Sequence, residues 1–290
     1  SISALLLIAA LVALAVFGLK SGIEFSSGSQ LTLSFEQNVE ISDLKNELDN
    51  LGYGNAIVQE TGEGNFILRT EQLTPEDKNA LKVDLANVFS ANEELGFENV
   101  DPVIAKQTTR TAAIAVSVAA MGILLYITWA FRRMPKPLHY GSGAIIALVH
   151  DAVIALGVFA IVGAILNWEI NMMFIIGILA VIGYSVNNTV VIFDRIRENL
   201  LKEEKPDFEQ VINRSIAESF SRSLNTSITT IIVMLALLLF VGSNIQNFAV
   251  VMIVGITAGT FSSLFIAPSI LVIWERNEWS KLLPMRKTES

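Results

Sequence analysis

The chain has 290 residues, 52% of them hydrophobic and 17% charged, with a formal net charge of −8 and no cysteine. That balance lies outside the usual range of soluble domains, and the missing thiols exclude a disulfide framework or a thiolate metal site. Net acidity argues against nucleic acid as a partner, and with His139 and His150 as the two imidazoles neither a zinc site nor any other cofactor is expected.

The first apolar run, Ile2 to Leu19, is stopped by Lys20, Ser21 and Gly22 and is long enough for a spanning helix. It begins almost at Ser1, so the chain is expected to be trimmed of a cytoplasmic N-terminal segment. A cleaved signal peptide is the competing reading, but no A-x-A-like site leads into a mature soluble domain. From Gly22 to Arg110 the texture is that of a domain in water, with acidic residues outnumbering basic ones. Leu31 to Phe35 alternates like a half-buried strand, and Ile41, Leu44 and Leu48 have the i, i+3, i+7 spacing of a helix. Asn50, Gly52 and Gly54 end that helix. Two strands, Ala56 to Gln59 and Asn65 to Thr70, are predicted around Gly62 and Gly64, and Thr74-Pro75-Glu76-Asp77 opens a second helix to about Ser90. A last strand near Phe97 to Ile104 completes a β-α-β-β-α-β order, the ferredoxin-like α+β pattern. That scaffold names no function by itself.

Five more apolar runs follow: Ala112 to Phe131, Ser142 to Leu166, Met172 to Phe193, Ser227 to Val241 and Phe248 to Trp274. The expected fold is therefore an all-α membrane bundle of six transmembrane helices with an inserted ferredoxin-like domain. Its parts are a first helix over 1–21, the α+β domain over 22–110, five helices over 111–275 with a connection at 194–222, and a tail at 276–290. The loop Arg132 to Lys136, the 194–222 connection and the tail from Arg276 to Lys287 are basic. By the positive-inside rule they face the cytoplasm, which puts both termini inside. The α+β domain and the short loops at Asn167-Trp168-Glu169 and Gly242-Ser243-Asn244 then lie outside.

Polar groups within apolar helices are expensive and usually face a partner or a water path. His150-Asp151 sits near mid-depth of the third run, where a buried carboxylate beside an imidazole can exchange protons near neutral pH; a plain interhelical hydrogen bond is the alternative. The fourth run ends in Gly183, Ser185, Asn187, Asn188 and Thr189, a small and polar patch that equally suits close helix packing. Asp194-Arg195-Ile196-Arg197-Glu198 follows as an interfacial anchor. At the head of the fifth run, Arg222 stands in a cluster of hydroxyls and amides and could simply snorkel to the membrane edge.

Gly183 to Asn199, read as G-Y-S-x-N-x-T-V-V-x-F-D-R-I-R-E-N, resembles the signature of the SecF half of the SecD/SecF family. His150-Asp151, Arg222-Ser223-Leu224-Asn225-Thr226-Ser227 and Gly22-Ile23-Glu24-Phe25-Ser26-Ser27-Gly28 are similar to further family positions in the same order. The resemblance implies a bacterial or archaeal cytoplasmic-membrane protein. It would pair with SecD, as a separate or fused chain, and act with the SecYEG channel, preprotein, lipids and YajC or YidC. It also implies use of the proton-motive force to complete protein translocation, with no bond made or broken.

Asp151, Asn188 and Arg222 are the expected ion-coupling residues. Gly183, Ser185, Asn187, Thr189, Asp194 and Arg195 are expected at packing or partner contacts. Three positions depart from the family: Asn188 stands where many members carry a proton-bearing aspartate, and Ser27 and Asp101 where they carry glycine. An amide cannot cycle a proton, so either the SecD partner or Asp151 must do so, or neutral oxygens at Ser185, Asn187, Asn188 and Thr189 serve sodium. A scaffold subunit without ion coupling and a lipid or drug exporter are the other readings. No phosphate loop, nucleophile set or metal cluster points to an enzyme.

Overall fold

A computed structural model of the protein describes residues 2–60, 64–90, 92–166, 168–202, 207–240 and 243–276. The hairpin at Gly62, loop positions Asn167 and Gly242 and the tail beyond Arg276 lie outside the described residues. The chain divides into two compact units. One contains residues 1–19, 114–162 and 173–290; the other contains 20–113 and 163–172.

The first unit is helical. It holds α1 (Ile2–Phe17), most of α5 (Pro102–Ala130), and α6 (Pro137–Leu166), α7 (Met172–Lys202) and α8 (Phe208–Phe240). It ends with α9 (Ser243–Phe261), which runs through a single π turn at Ser262–Ile266 into α10 (Ala267–Arg276). Five helical runs, the last comprising α9, the π turn and α10, are long and apolar enough to cross a membrane; α1 is a shorter apolar helix of 16 residues.

Close approach is made by small residues, as expected where lipid removes the usual hydrophobic drive between helices. An added Cβ at Gly157 would lie 2.6 Å from Ala10 Cα, and one at Gly255 would lie 2.5 Å from a Val181 methyl. Ser3 meets His150 just as Ala10 meets Gly157. Both contacts have the same sequence offset, so α1 and α6 run side by side in the same direction. Ile127, Phe131, Tyr140, Phe193, Ile212 and Leu271 form the core at one end, with Phe131 stacked on Tyr140 and edge-on to Phe193.

α8 begins at Phe208 rather than near Ser227. The polar stretch before the apolar run is helical because Ser215, Ser219, Ser223 and Ser227, each four residues from the next, are all buried and let a neighbouring helix approach. α5 likewise starts at Pro102, ahead of the expected Ala112. Asp101 Oδ1 accepts from Val103 N at 2.7 Å, so Asp101 caps the helix.

The second unit is built on an antiparallel sheet of order β2-β3-β1-β4, with β1 at Gly28–Phe35, β2 at Ile57–Glu60, β3 at Phe66–Thr70 and β4 at Asn92–Val100. β4 starts and ends earlier than the expected Phe97 to Ile104, and a bulge between Thr32 and Leu33 adjusts its register against β1. α3 (Ile41–Asn50) connects β1 to β2, and α4 (Pro75–Phe89) connects β3 to β4. Leu44, Leu48, Leu81 and Leu85 of these helices pack with Leu31, Leu33, Phe66 and Leu68 of the sheet. Thr74 and Asp77 form the reciprocal cap that the sequence spells: Thr74 Oγ1 accepts from Asp77 N and Asp77 Oδ2 accepts from Thr74 N, both at 3.2 Å.

Lys82 and Lys78 hold the Glu94 carboxyl below the ordinary carboxylate range through their hydrogen bonds to it. An acid with a lowered folded pKa adds stability above its unfolded value, near pH ~4, and loses it as the pH falls through the folded value. Glu94→Gln is therefore expected to flatten only the acid limb of the unfolding curve below about pH 4, by an amount kept small by solvent screening.

A short helix, α2 (Ile23–Ser26), leads into β1 through Ser27 at φ 64°, ψ 172° and Gly28 at φ 116°. A Cβ at Gly28 would strike the Thr70 carbonyl oxygen at 2.5 Å. Ser27 occupies a region that is nearly glycine-only and costs ~1–3 kcal/mol. Ser27→Gly is expected to stabilise the protein by about 1 kcal/mol after the entropy cost of glycine; thermal unfolding of the purified protein tests this, and no gain would count against strain at Ser27.

Candidate functional site

The polar groups in the helical unit converge on α7. Asp151, at the middle of α6, is 1% exposed, and its neighbour His150 is also buried. Asp151 Oδ2 accepts hydrogen bonds of 2.7 Å from Ser185 Oγ of α7 and of 2.7 Å from Ser262 Oγ in the π turn. Asp151 Oδ1 lies 3.0 Å from His150 Nδ1, while His150 Nε2 lies 3.0 Å from Ser3 Oγ of α1. If Nδ1 carries the proton, Ser3 donates to Nε2 and the carboxylate accepts from three groups. The result is a continuous hydrogen-bonded line from α1 through α6 to α7 and the π turn.

One helical turn along α7, Asn188 anchors a second buried network. Its Oδ1 accepts from Ser223 Oγ at 3.2 Å and its Nδ2 donates to Ser227 Oγ at 3.5 Å. Ser227 Oγ lies 2.6 Å from Thr260 Oγ1, and Tyr184 OH lies 3.5 Å from Ser227 Oγ. Thr189 Oγ1 donates to the Ser185 carbonyl at 3.1 Å, which places it between the two networks. Gly259 makes room for them: a Cβ there would come within 3.0 Å of Ser185 and 3.3 Å of Asp151 Oδ2.

The other expected residues part company with this site. Arg222 is exposed while Ser223 and Ser227 on the same helix are buried. It therefore stands on a different face of α8, and the expected grouping of Arg222 with Asp151 and Asn188 is not what the structure holds. The physical reason is helical pitch, since adjacent residues point about 100° apart.

Gly183 and Asn187 are also exposed, and a Cβ at Gly183 meets nothing within 4 Å. Ser185 and Thr189 of the same helix are buried instead. Asp194 pairs with Arg197 at 2.7 Å on its own helix. Arg195 Nε donates to Glu218 Oε2 of α8 at 2.6 Å, and buried Asn199 donates to the same carboxylate at 2.7 Å and to Ser215 Oγ at 3.0 Å.

Ser262, Thr260 and Ser3 are members of the site that the sequence does not single out. Their available signal is weak: they are hydroxyls in apolar runs, and the π turn that carries Ser262, a local widening of the helix often found at functional positions, has no marker in the sequence. Among the described residues no cluster of three His, Cys, Asp or Glu could hold a metal ion.

The family description "Protein export membrane protein SecD/SecF, C-terminal" matches residues 80–277, and the "SecD/SecF GG Motif" matches residues 12–39. The chain belongs to the SecD/SecF family. Its relatives include the protein translocase subunit SecF of Thermobaculum terrenum, 38% identical over 99% of this chain and 94% of that one. The SecF of Anaerolinea thermophila is 37% identical over 96% and 92% respectively.

The solved structure of a Thermus SecDF, described as a translocon-associated membrane protein, superimposes with a TM-score of 0.84 at 32% identity. It is matched over 94% of this chain, which spans only 37% of that longer SecDF chain. The stretch matched by the GG motif contains Ser27 and Gly28, and the stretch matched by the C-terminal family description contains every member of the buried site except Ser3.

Proposed function

We propose that this chain is a SecF-type accessory subunit of the Sec protein translocase, and that Asp151 is its proton-carrying group. The SecF relatives match nearly end to end, which supports the subunit assignment. A multi-pass protein of the cytoplasmic membrane follows from the same relatives and the five long apolar helices. α1, with Ala10 and Ala13 buried, is read as the sixth span. The β2-β3-β1-β4 order supports a ferredoxin-like domain, placed outside the cytoplasm over 22–110, with both termini inside. A SecD partner, separate or fused, would supply the remainder of the longer SecDF chain. The channel and the preprotein are the further partners this role requires.

The single observation that carries the coupling mechanism is a carboxylate 1% exposed, held by two hydroxyls and an imidazole across three helical segments, α6, α7 and the π turn. An ionised carboxylate in lipid is costly unless so held. Protonation would remove the charge and convert an acceptor of three bonds into a partial donor, which gives Ser185 and Ser262 reason to shift. His150 is placed to pass the proton between Asp151 and the Ser3 end of the line. Asn188 takes no proton, and its oxygen accepts from Ser223, so a sodium ion there would have to share that oxygen. Gly183, Asn187 and Arg222, exposed on α7 and α8, are proposed to face the partner.

The test is ion flux and protein export in vesicles holding the chain with its SecD partner. Export that responds to an imposed proton gradient with sodium absent is the expected result. Export that needs sodium, or that ignores both gradients, would refute proton coupling; the latter would leave a scaffold subunit.

A further inference from the structure

The segment 163–172 joins α6, which bears Asp151, to α7, which bears Ser185 and Asn188, yet it clusters with the α+β unit. Ile170 forms a parallel bridge with Ser21, through Gly22 N to Ile170 O and Ile170 N to Lys20 O, each 2.8 Å. Met172 N donates to Glu24 Oε1 at 3.4 Å. Beside this bridge Arg69 of β3, 8% exposed, forms an ion pair with Glu169, and Gln59 of β2 donates to the same carboxylate oxygen at 3.1 Å. The guanidinium also donates to the Ser21 carbonyl from both terminal nitrogens, at 3.3 and 3.2 Å, and to Ser26 Oγ at 3.2 Å. A single buried arginine thus joins the sheet, the segment entering the GG motif and the loop between two spans. Burial pushes the Glu169 carboxyl up, with Arg69 and Gln59 acting against it and Glu24 adding to it, so the carboxylate charge depends on its partner.

We propose that Arg69 and Glu169 form a latch that makes the α6–α7 loop move as one piece with the α+β domain, transmitting rearrangement at Asp151 to that domain. The inference rests on the proton-coupling reading above. Both are positioning residues: neither touches the ion path. The mechanical argument is connectivity. Asp151 bonds α6 to α7, and the loop between those helices is fastened to the Ser21 segment by a short bridge and to β3 by a desolvated charge pair. Breaking a buried pair from one side leaves an uncompensated charge, which would loosen the loop from β3 while the backbone bridge to Ser21 stays in place.

The chain has no cysteine of its own, so a replacement covalent link can be introduced cleanly. Neighbouring strands lie ~5 Å apart, within the span of a disulfide, and Ser21→Cys with Ile170→Cys would staple the same junction. In vesicles with the SecD partner, Arg69→Met and the milder Glu169→Gln are expected to lower gradient-driven export roughly three- to thirtyfold, with membrane yield and copurification of SecD unchanged. Oxidising the cysteine pair alone is expected to leave export intact. Oxidising it in the Arg69→Met chain should restore export, and reduction should abolish it again.

Disulfide formation should also be slower in Arg69→Met than in the cysteine pair alone, a readout independent of transport. If the oxidised staple fails to rescue Arg69→Met, or the staple alone stops export, or Arg69→Met and Glu169→Gln export normally, the latch is refuted. Asp151→Asn in the oxidised staple background separates the two ideas. Its continued failure supports proton coupling, and normal export there would overturn that coupling while leaving a staple-rescued latch standing.

Discussion

Asp151→Asn is expected to cut gradient-driven export by about tenfold or more, the scale set by removing one properly placed proton-transfer group, while the complex still assembles in the membrane. The amide keeps an oxygen where Ser185 and Ser262 donate at 2.7 Å and adds an NH2 whose conflict is confined to the His150 side. The shape of the site and most of its bonds survive, so the loss would report charge and proton capacity rather than packing.

Asp151→Leu makes the contrasting case. It strands two buried hydroxyls and an imidazole nitrogen at ~1–3 kcal/mol each, so membrane yield should drop along with export. Assaying both variants for export and for copurification with SecD separates the roles. Loss of assembly in Asp151→Asn would mean that the residue merely glues helices, and unchanged export would remove it from the ion path.

The second large effect is expected at Gly157. A Cβ at this position would fall 2.6 Å from Ala10 Cα and 3.1 Å from the Ala10 carbonyl oxygen, so no rotamer change can relieve the conflict and α1 as a whole must move. Overpacking a well-filled site costs ~1–3 kcal/mol or more. Gly157→Val should therefore detach α1, break the Ser3 to His150 contact and lower the melting temperature of the detergent-purified protein. Gly157→Ala should already carry part of the loss, and adding Ala10→Gly should not restore it fully, because the Ala10 Cα and carbonyl oxygen remain in the way. Gly183→Ala is the internal control: its site is open, and in a helix alanine is favoured over glycine by about 1 kcal/mol. A neutral or higher melting temperature is expected there, so any loss of export by Gly183→Ala would point to a partner helix. A Gly157→Val chain as stable as the original would deny that α1 packs on α6.

The local rules that hold most firmly here are the ones with steep energetics. Thr74 to Asp77 spells a cap and forms one, and Ile41, Leu44 and Leu48 carry helical spacing, with Leu44 and Leu48 buried. The apolar runs mark α5 to α9, since a backbone in lipid must satisfy its own hydrogen bonds. Their ends are less legible, because hydropathy sees only the lipid-facing length. α8 carries its serine ladder well below the expected start, from Phe208 against Ser227, and the four-residue spacing of Ser215, Ser219, Ser223 and Ser227 is the signal that marks it.

That same spacing settles Arg222, which is next to a buried serine and so cannot share its face. The Asp151 site is half readable. A carboxylate amid apolar residues announces itself by cost, whereas Ser262 joins it through a π turn for which the local residues carry no marker. Ser27 illustrates a different limit: its positive φ stands next to the close passage of Gly28 against Thr70, a long-range contact that no local pattern encodes.

β4 forms an outer edge of the sheet, and an open edge invites any extended chain to add itself as another strand. Glu93, Glu94 and Glu98 lie along its nine residues, and although Lys78 and Lys82 neutralise Glu94, the exposed Glu93 and Glu98 remain. Those two carboxylates leave the rim of the sheet negatively charged, so an acidic strand is repelled from it and a basic one is admitted more readily.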